Sequence, residues 1–68
     1  MSFKRFLREY VKNHDDCVSD FAKDAFADQE FNWRYGEKRM MIYLIKHHHA
    51  SDDCLTSCEK AWELYKIT

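Results

Sequence analysis

Hydrophobic and polar residues alternate along the start of the chain at the spacing of an amphipathic α-helix. The apolar positions recur at i, i+3, i+4, i+7 and i+8: Phe3, Phe6, Leu7, Tyr10 and Val11. Ser2 stands immediately before this run and has the hydroxyl that an N-cap requires. The pattern predicts a first helix over residues 2–12, ended by the polar turn at residues 13–16.

A second helix is predicted over residues 17–28, with Asp15 or Asp16 as its N-cap. Its apolar face has five members: Val18, Phe21, Ala22, Ala25 and Phe26. Carboxylates repeat every four residues on another face: Asp20, Asp24 and Asp28. Residues 29–36 are predicted to form a loop, from which Phe31 and Trp33 fold back onto the core.

The third predicted helix, residues 37–48, contains the longest apolar run of the chain, from Met40 to Ile45. Periodicity alone would also allow a buried strand, but no second strand is available to pair with it. As a helix it is apolar most of the way round, which predicts a central position or partial cover by a partner. Ile42 and Ile45 lie off the main apolar face, so either neighbouring helices enclose them or they form an exposed patch used for binding.

The start of the last helix is predicted from a capping pattern. Thr56 and Glu59 match the capping box, with Ser57 as a competing cap, and residues 54 and 55 then fall in a preceding turn or short helix. The apolar face beyond this start consists of Cys58, Ala61, Trp62 and Tyr65. We expect Trp62 to be buried against one of three rings: Phe3, Phe21 or Phe26.

The four segments fill a chain of 68 residues, which leaves room for one domain, residues 1–68. There is no proline and only one glycine, Gly36, so the residues that favour hairpin turns are nearly absent. Hydrophobic residues make up 46% and aromatic residues 16% of the sequence, which is enough to form a core. The predicted fold class is all-α, a compact four-helix bundle.

The stretch from Val18 to Phe31, VSDFAKDAFADQEF, resembles the signature of the YozE-like family of small bacterial proteins. That signature reads approximately Ile-Ser-x-Phe-Ala-x-x-Ala-Tyr-x-Asp-x-x-Phe. Further matches follow in the family's order: Ser2-Phe3, Tyr43-Leu44 and Ala61-Trp62-x-x-Tyr65. The chain departs from the family pattern at Asn32-Trp33, where Pro-Lys is usual, and over residues 37–41, which replace an Asp-Tyr-x-Glu-Ile-Ser run.

The resemblance implies a four-helix fold similar to that of the sterile alpha motif (SAM) domain. It implies no particular biochemical activity. Folds of the SAM type serve in protein association and sometimes in nucleic-acid binding, which is an analogy at the level of the fold.

Three cysteines, Cys17, Cys54 and Cys58, cannot all pair within one chain, and we expect reduced thiols in a reducing cytosol. The N-terminal residues lack the apolar run of a signal peptide, and Ser2 stands where N-myristoylation would need glycine. The longest apolar run, residues 40–45, is far shorter than a membrane span. The sequence predicts a cytoplasmic protein without membrane association.

A histidine and cysteine cluster is the first candidate for chemistry: His47, His48, His49, Cys54 and Cys58. Zinc favours such ligands, but successive helical residues point about 100° apart, so three consecutive histidines cannot face one ion. The spacing also matches no standard zinc pattern. We expect structural roles for these residues and no metal or other cofactor, and adventitious metal binding by the exposed histidines stays open.

Cys17 is the second candidate, because it lies at a predicted helix start three residues after His14. Asp15 and Asp16 oppose formation of a thiolate there, and a bundle of this size has little volume for a substrate pocket. The protein is expected not to be an enzyme.

Charge is nearly balanced, with eleven Lys and Arg residues against twelve Asp and Glu residues and a net charge of −1. This balance disfavours a strongly basic nucleic-acid module. A basic stripe nevertheless lies opposite the apolar face of the first helix: Lys4, Arg5, Arg8 and Lys12. Together with the acidic stripe of the second helix, it is either an ordinary solvated face or a surface that docks onto a partner or head-to-tail onto a second copy.

The function predicted from the sequence is protein–protein interaction with an unknown partner, by a monomer or a weakly self-associating protein. The candidate surface consists of both charged stripes together with Ile42 and Ile45. The alternative is a weak nucleic-acid-binding accessory protein, which would set the basic stripe, with Lys38 and Arg39, against phosphates.

Overall fold

Four α-helices form the computed structural model, which describes residues 1–68. They are α1 (Phe3–Asn13), α2 (Cys17–Ala27), α3 (Glu37–His48) and α4 (Asp52–Lys66). There is no β-strand, so the all-α prediction is confirmed. The bounds of α1, α2 and α3 differ from the predicted ones by at most one residue. None of the four helices has the length and apolarity that crossing a membrane would require.

Side-chain caps fix the starts of α1 and α2. Ser2 Oγ accepts a hydrogen bond from the Arg5 N–H at 3.1 Å. Asp16 Oδ1 accepts one from the Ser19 N–H at 3.0 Å. Each cap satisfies a backbone donor that has no partner inside its helix. Both caps agree with the sequence prediction.

The predicted start of α4 is wrong. The helix begins at Asp52, and Ser51 is its N-cap, with Oγ accepting from the Cys54 N–H at 3.3 Å. Asp52 and Asp53 occupy the first turn, where carboxylates interact favourably with the positive end of the helix dipole. Thr56 therefore lies inside the helix, and residues 54 and 55 belong to α4 rather than to a separate turn.

A single cluster of 13 buried hydrophobic residues draws on all four helices and on the connection between α2 and α3. Leu7, Met40 and Cys58 are its largest fully buried apolar side chains. Trp62 packs against the cluster with its ring stacked on Phe3, at 4.0 Å between centroids. The predicted contact between Trp62 and Phe3 is confirmed, although Trp62 is only partly buried.

The connection between α2 and α3 folds back onto the core, as predicted. Phe31 is buried, and Trp33 lies 4.7 Å from it between ring centroids. Phe26 was placed on the buried face of α2 by periodicity, but it is 37% exposed. Trp33, 4.9 Å from Phe26 between ring centroids, covers the ring only in part.

The third helix is not central. It packs against α4 and buries Met40, Tyr43 and Leu44, whereas Ile42 and Ile45 are each 50% exposed. The first of the two alternatives, that neighbouring helices enclose Ile42 and Ile45, is therefore wrong. The second alternative, an exposed apolar patch, is the one that the fold shows.

Candidate interaction surfaces

The outer surface of α3 combines apolar side chains with positive charge. This α3 outer face consists of Lys38, Arg39, Ile42, Ile45 and Lys46. The two isoleucines are three residues apart, so their side chains are neighbours on the helix surface and form one patch. The three cations form no ion pair, and the only carboxylate of α3, Glu37, is held by Lys66 at 2.8 Å. Positive charge on this face is therefore not neutralised within the molecule.

A shallow depression adjoins the patch. The Arg39 guanidinium lies 5.6 Å from the ring centroid of Tyr35, within the range of a cation–π contact. Arg39 and Tyr35, together with Ile42, Lys46 and His47, border an open groove of about 260 Å³. The α3 outer face is thus extended by the end of the α2–α3 connection.

A second surface of opposite charge lies between α2 and the first turns of α4. This acidic groove, about 230 Å³ in volume, has Asp20, Asp24 and Asp53 around Phe21 and Cys54. None of the three carboxylates is in an ion pair. Burial, and next the charge of Asp24, raise the pKa of the Cys54 thiol. The groove therefore combines an apolar floor with a negative rim.

The acidic groove opens into a larger depression of about 470 Å³, with which it shares Phe21, Asp24 and Cys54. Further apolar lining comes from Ala25 of α2 and Leu44 of α3. The two depressions therefore adjoin each other along α2.

Asp28 is the one member of the predicted acidic stripe whose carboxylate is engaged in hydrogen bonds within the molecule and only partly exposed to solvent. Its Oδ2 accepts hydrogen bonds from the Tyr43 hydroxyl at 2.6 Å and from His48 Nε2 at 2.7 Å, and its Oδ1 accepts from the Glu30 N–H at 3.0 Å. The bond from Tyr43 is the main cause that lowers the pKa of Asp28, and it raises the pKa of Tyr43 to about 12. Asp28 therefore ties the end of α2 to α3.

An equivalent bond is present at the other end of α2. The Tyr10 hydroxyl donates to Asp16 Oδ2 at 2.6 Å, which raises the pKa of Tyr10 to about 12 and lowers the pKa of Asp16. The His14 ring stacks on Tyr10 at 3.9 Å, with Nδ1 3.1 Å from the Tyr10 carbonyl oxygen. His14 is thus engaged with Tyr10, while Cys17 is exposed at the start of α2.

Three cations of the predicted basic stripe of α1 form no ion pair: Lys4, Arg5 and Arg8. Lys12 pairs with Glu9 at 3.3 Å, and the Lys4 ammonium lies 6.0 Å from the ring centroid of Trp33. Arg5 and Arg8 are exposed and form no ion pair.

Three of the five histidine and cysteine residues, His48, His49 and Cys54, line the depression of about 470 Å³, whereas His47 and Cys58 do not. His47 stacks on Tyr43 at 4.7 Å, and His49 ends α3 in the left-handed region with φ 49°. Cys58 is fully buried, and burial is the main cause that raises its pKa to about 12. No three His, Cys, Asp or Glu side chains in the chain are grouped so that they could hold a metal ion.

A family model described as the YozE SAM-like fold matches residues 2–67, nearly the whole chain. The chain belongs to the YozE SAM-like fold family. Comparisons with curated proteins and with solved structures gave no match.

In this member of the YozE SAM-like fold family, two departures from the family pattern have definite places in the fold. Trp33 stands where lysine is usual and packs on Phe26 and Phe31. Residues 37–41 form the first turn of α3 and contribute Lys38 and Arg39 to the α3 outer face. One departure thus adds to the packing, and the other adds positive charge at the surface.

The predicted interaction surface of this YozE-like chain does not include Asp53 or Lys46. Assigning Ser51 as the cap of α4 would have placed Asp53 in the first turn of that helix. That Asp53 lies near Asp20 and Asp24 of α2 follows only from the tertiary fold. Lys46 follows Ile42 by four residues, which puts the two on the same helical face. That spacing is the one signal in the sequence that could have identified it.

Proposed function

We propose that this protein is a non-catalytic protein–protein interaction module of the cytoplasm, and that it binds its partner through the α3 outer face. The observation that supports the proposal is the half-exposure of Ile42 and Ile45. Single exposed aliphatic residues are common at protein surfaces, whereas a contiguous apolar patch rimmed by polar side chains is typical of interaction sites. An apolar centre with a charged rim is also the usual arrangement of a protein interface.

The size of the face indicates a weak interaction. A helix of 12 residues is about 18 Å long and about 10 Å wide, so its outer face covers about 200 Å², well below the area of about 800 Å² that a stable interface buries on each partner. The groove beside Tyr35 enlarges the available surface but does not bring it to the size of an obligate interface. We therefore expect reversible binding, with a partner whose surface has carboxylates around an apolar centre.

The proposal is tested by retrieving partners from the native cytosol. Immobilised wild type is compared with Ile42→Asp and with Ile67→Asp, which places the same charge on an 82% exposed residue outside α3. A protein retained by wild type and Ile67→Asp but lost with Ile42→Asp supports the proposal. Equal retention of every protein by all three would contradict it.

A second candidate, weak nucleic-acid binding, is favoured by one observation. Arg5 and Arg8 are three residues apart on α1, exposed and without ion-pair partners, so they can both reach a phosphate backbone. This function predicts DNA or RNA in the retained material, with binding that weakens steeply as salt is added. It also predicts loss of nucleic acid, and not of protein, with the double variant Arg5→Glu/Arg8→Glu.

A further inference from the structure

We infer that the α3 outer face binds the acidic groove of a second copy of this chain. The inference rests on the proposed function, since it uses the same face and specifies the partner.

The two surfaces match in chemistry. On the α3 outer face, the aliphatic patch of Ile42 and Ile45 lies between cations. In the acidic groove, carboxylates surround a floor that includes Phe21 and Cys54. Aliphatic side chains placed on that floor would leave water, and the flanking cations would face the carboxylates of the rim.

Both surfaces have charges that are unpaired within one molecule. The cations are Lys38, Arg39 and Lys46, and the carboxylates are Asp20, Asp24 and Asp53; no member of either set is in an ion pair. A second copy supplies three carboxylates for three cations. The net charge of −1 leaves little overall repulsion between copies.

The surfaces belong to different elements and have no residue in common. The face is built on α3 and the groove on α2 and α4, so one molecule can use both at the same time. Contacts between two unlike surfaces are heterologous, and they extend into open chains or rings rather than closing into a two-fold dimer. The inferred assembly is therefore a short, reversible, head-to-tail chain of molecules.

The first test is sedimentation velocity of the wild-type protein from about 10 μM to about 1 mM, a range suited to a small interface. We expect the average mass to rise beyond that of a dimer with concentration, and to fall when about 0.5 M salt is added, because salt screens the charge pairs. A protein that stays monomeric throughout would overturn the inference.

The second test uses variants that each remove one surface. Ile42→Asp destroys the α3 outer face and leaves the groove intact, whereas Asp24→Lys reverses the groove and leaves the face intact. Each variant alone is expected to associate at least about tenfold more weakly, as for loss of a central interface residue. An equimolar mixture is expected to form a one-to-one dimer that grows no further, because only one intact face and one intact groove can meet.

Matched controls carry the same charge changes elsewhere. Ile67→Asp and Glu59→Lys are exposed and lie in neither surface, so both should associate as the wild type does. Lys46→Glu is a second face variant and should behave as Ile42→Asp does. Circular dichroism of each variant checks that the helices are intact, which all these exposed positions should preserve.

The outcomes separate this inference from the proposed function. A mixture of Ile42→Asp and Asp24→Lys that stays monomeric, or wild type that stops at a dimer, would overturn the head-to-tail pairing. If wild type is monomeric but a cytosolic protein is still lost with Ile42→Asp, the interaction module stands and the second copy is the wrong partner. If neither self-association nor a captured protein depends on Ile42, both proposals fail.

Discussion

The Trp62 side chain makes one favourable contact and leaves one polar group without a partner. Its ring lies on Phe3 with the two planes 12° apart. Its indole N–H is buried without a hydrogen-bond acceptor. Stacked aromatic pairs add about 0.5–1.5 kcal/mol beyond the burial of area, whereas an unsatisfied buried donor costs about 1–3 kcal/mol. The two effects are separable by substitution, because alanine removes both and phenylalanine removes only the donor.

Trp62→Ala should lower the free energy of unfolding by about 2–4 kcal/mol, less than for a fully buried ring because part of the indole faces solvent. Trp62→Phe should stay within about 1 kcal/mol of wild type, since it keeps a ring on Phe3 and removes the unpaired donor. Urea unfolding followed by circular dichroism measures both. Equal losses for the two variants would show that the stacked ring contributes little.

The hydrogen bond between Tyr43 and Asp28 predicts acid sensitivity. The pKa of Asp28 is lower in the folded protein than in the unfolded chain, where it is about 3.9. The ionised carboxylate therefore stabilises the fold above about pH 4, and this contribution is lost as the pH falls through the lowered pKa. Tyr43→Phe removes the main cause that lowers the pKa of Asp28. The free energy of unfolding of this variant should therefore decrease less than that of wild type as the pH falls from about 5 to about 2.5.

The measurement is the urea midpoint at a series of pH values from about 5 down to about 2.5, where carboxylates titrate. Tyr35→Phe is the matched control, because the Tyr35 hydroxyl makes no hydrogen bond to a carboxylate. Its pH profile should follow that of wild type. A pH profile of Tyr43→Phe identical to those of wild type and Tyr35→Phe would mean that the pKa of Asp28 does not depend on the Tyr43 hydroxyl.

At the scale of the helices, α4 shows how two capping signals compete. Thr56 and Glu59 match a capping box, but Ser51 followed by Asp52 and Asp53 supplies both a cap and two carboxylates for the first turn. The earlier start also adds a full turn of helix, and this turn carries Leu55 onto the core and Asp53 to the acidic groove. Tertiary packing thus favours the longer helix.

Ser51→Ala should lower the free energy of unfolding by about 1 kcal/mol, the usual cost of losing an N-cap. Thr56→Ala should be neutral or slightly stabilising, because Thr56 is exposed inside the helix and alanine has the higher helix propensity. Thermal or urea unfolding of the pair decides between the two starts. The reverse order of effects would place the true start of α4 at Thr56.

Helical periodicity was sufficient to predict three of the four helices, because caps and apolar spacing are local properties of the chain. Periodicity was not sufficient to predict which apolar residues are exposed to solvent. The run from Met40 to Ile45 is apolar on nearly every side, and only the position of α3 at the edge of the bundle decides that Ile42 and Ile45 face outward.

The candidate site was predictable only in part, for a similar reason. Spacing placed Asp20, Asp24 and Asp28 in one stripe, but Asp28 lies where α2 ends, and its partners are 15 and 20 residues away in sequence. Asp53 joins Asp20 and Asp24 only through the packing of α4 on α2. Contacts of this kind are set by the tertiary fold and leave no periodic trace.

At the scale of the whole molecule, the net charge is close to zero, but positive and negative side chains lie in different regions of the surface. Several unpaired cations lie on α3 and on α1, and three unpaired carboxylates lie around the acidic groove. A protein of 29 × 22 × 22 Å presents these regions within distances comparable to the screening length at low salt, so its association should respond strongly to ionic strength.

The double variant Arg5→Glu/Arg8→Glu tests whether the α1 cations belong to the same system. Both residues are exposed opposite the core, so the free energy of unfolding should change by no more than about 0.5 kcal/mol. Self-association should be unchanged, since α1 is part of neither the α3 outer face nor the acidic groove. Sedimentation and urea unfolding measure the two quantities, and weakened self-association would move the interface towards α1.

The pair of tyrosine–carboxylate bonds at the ends of α2 has a consequence for local opening. Helix ends ordinarily fray, with opening free energies near zero. Fraying of α2 requires breaking the Tyr10–Asp16 bond at one end or the Tyr43–Asp28 bond at the other, and each bond leads to a different neighbouring helix. The hydrogen-bonded amides at the two ends of α2, those of Ser19, Asp20 and Asp28, should therefore exchange with solvent at rates close to those of its centre, and more slowly than those of the last turn of α4.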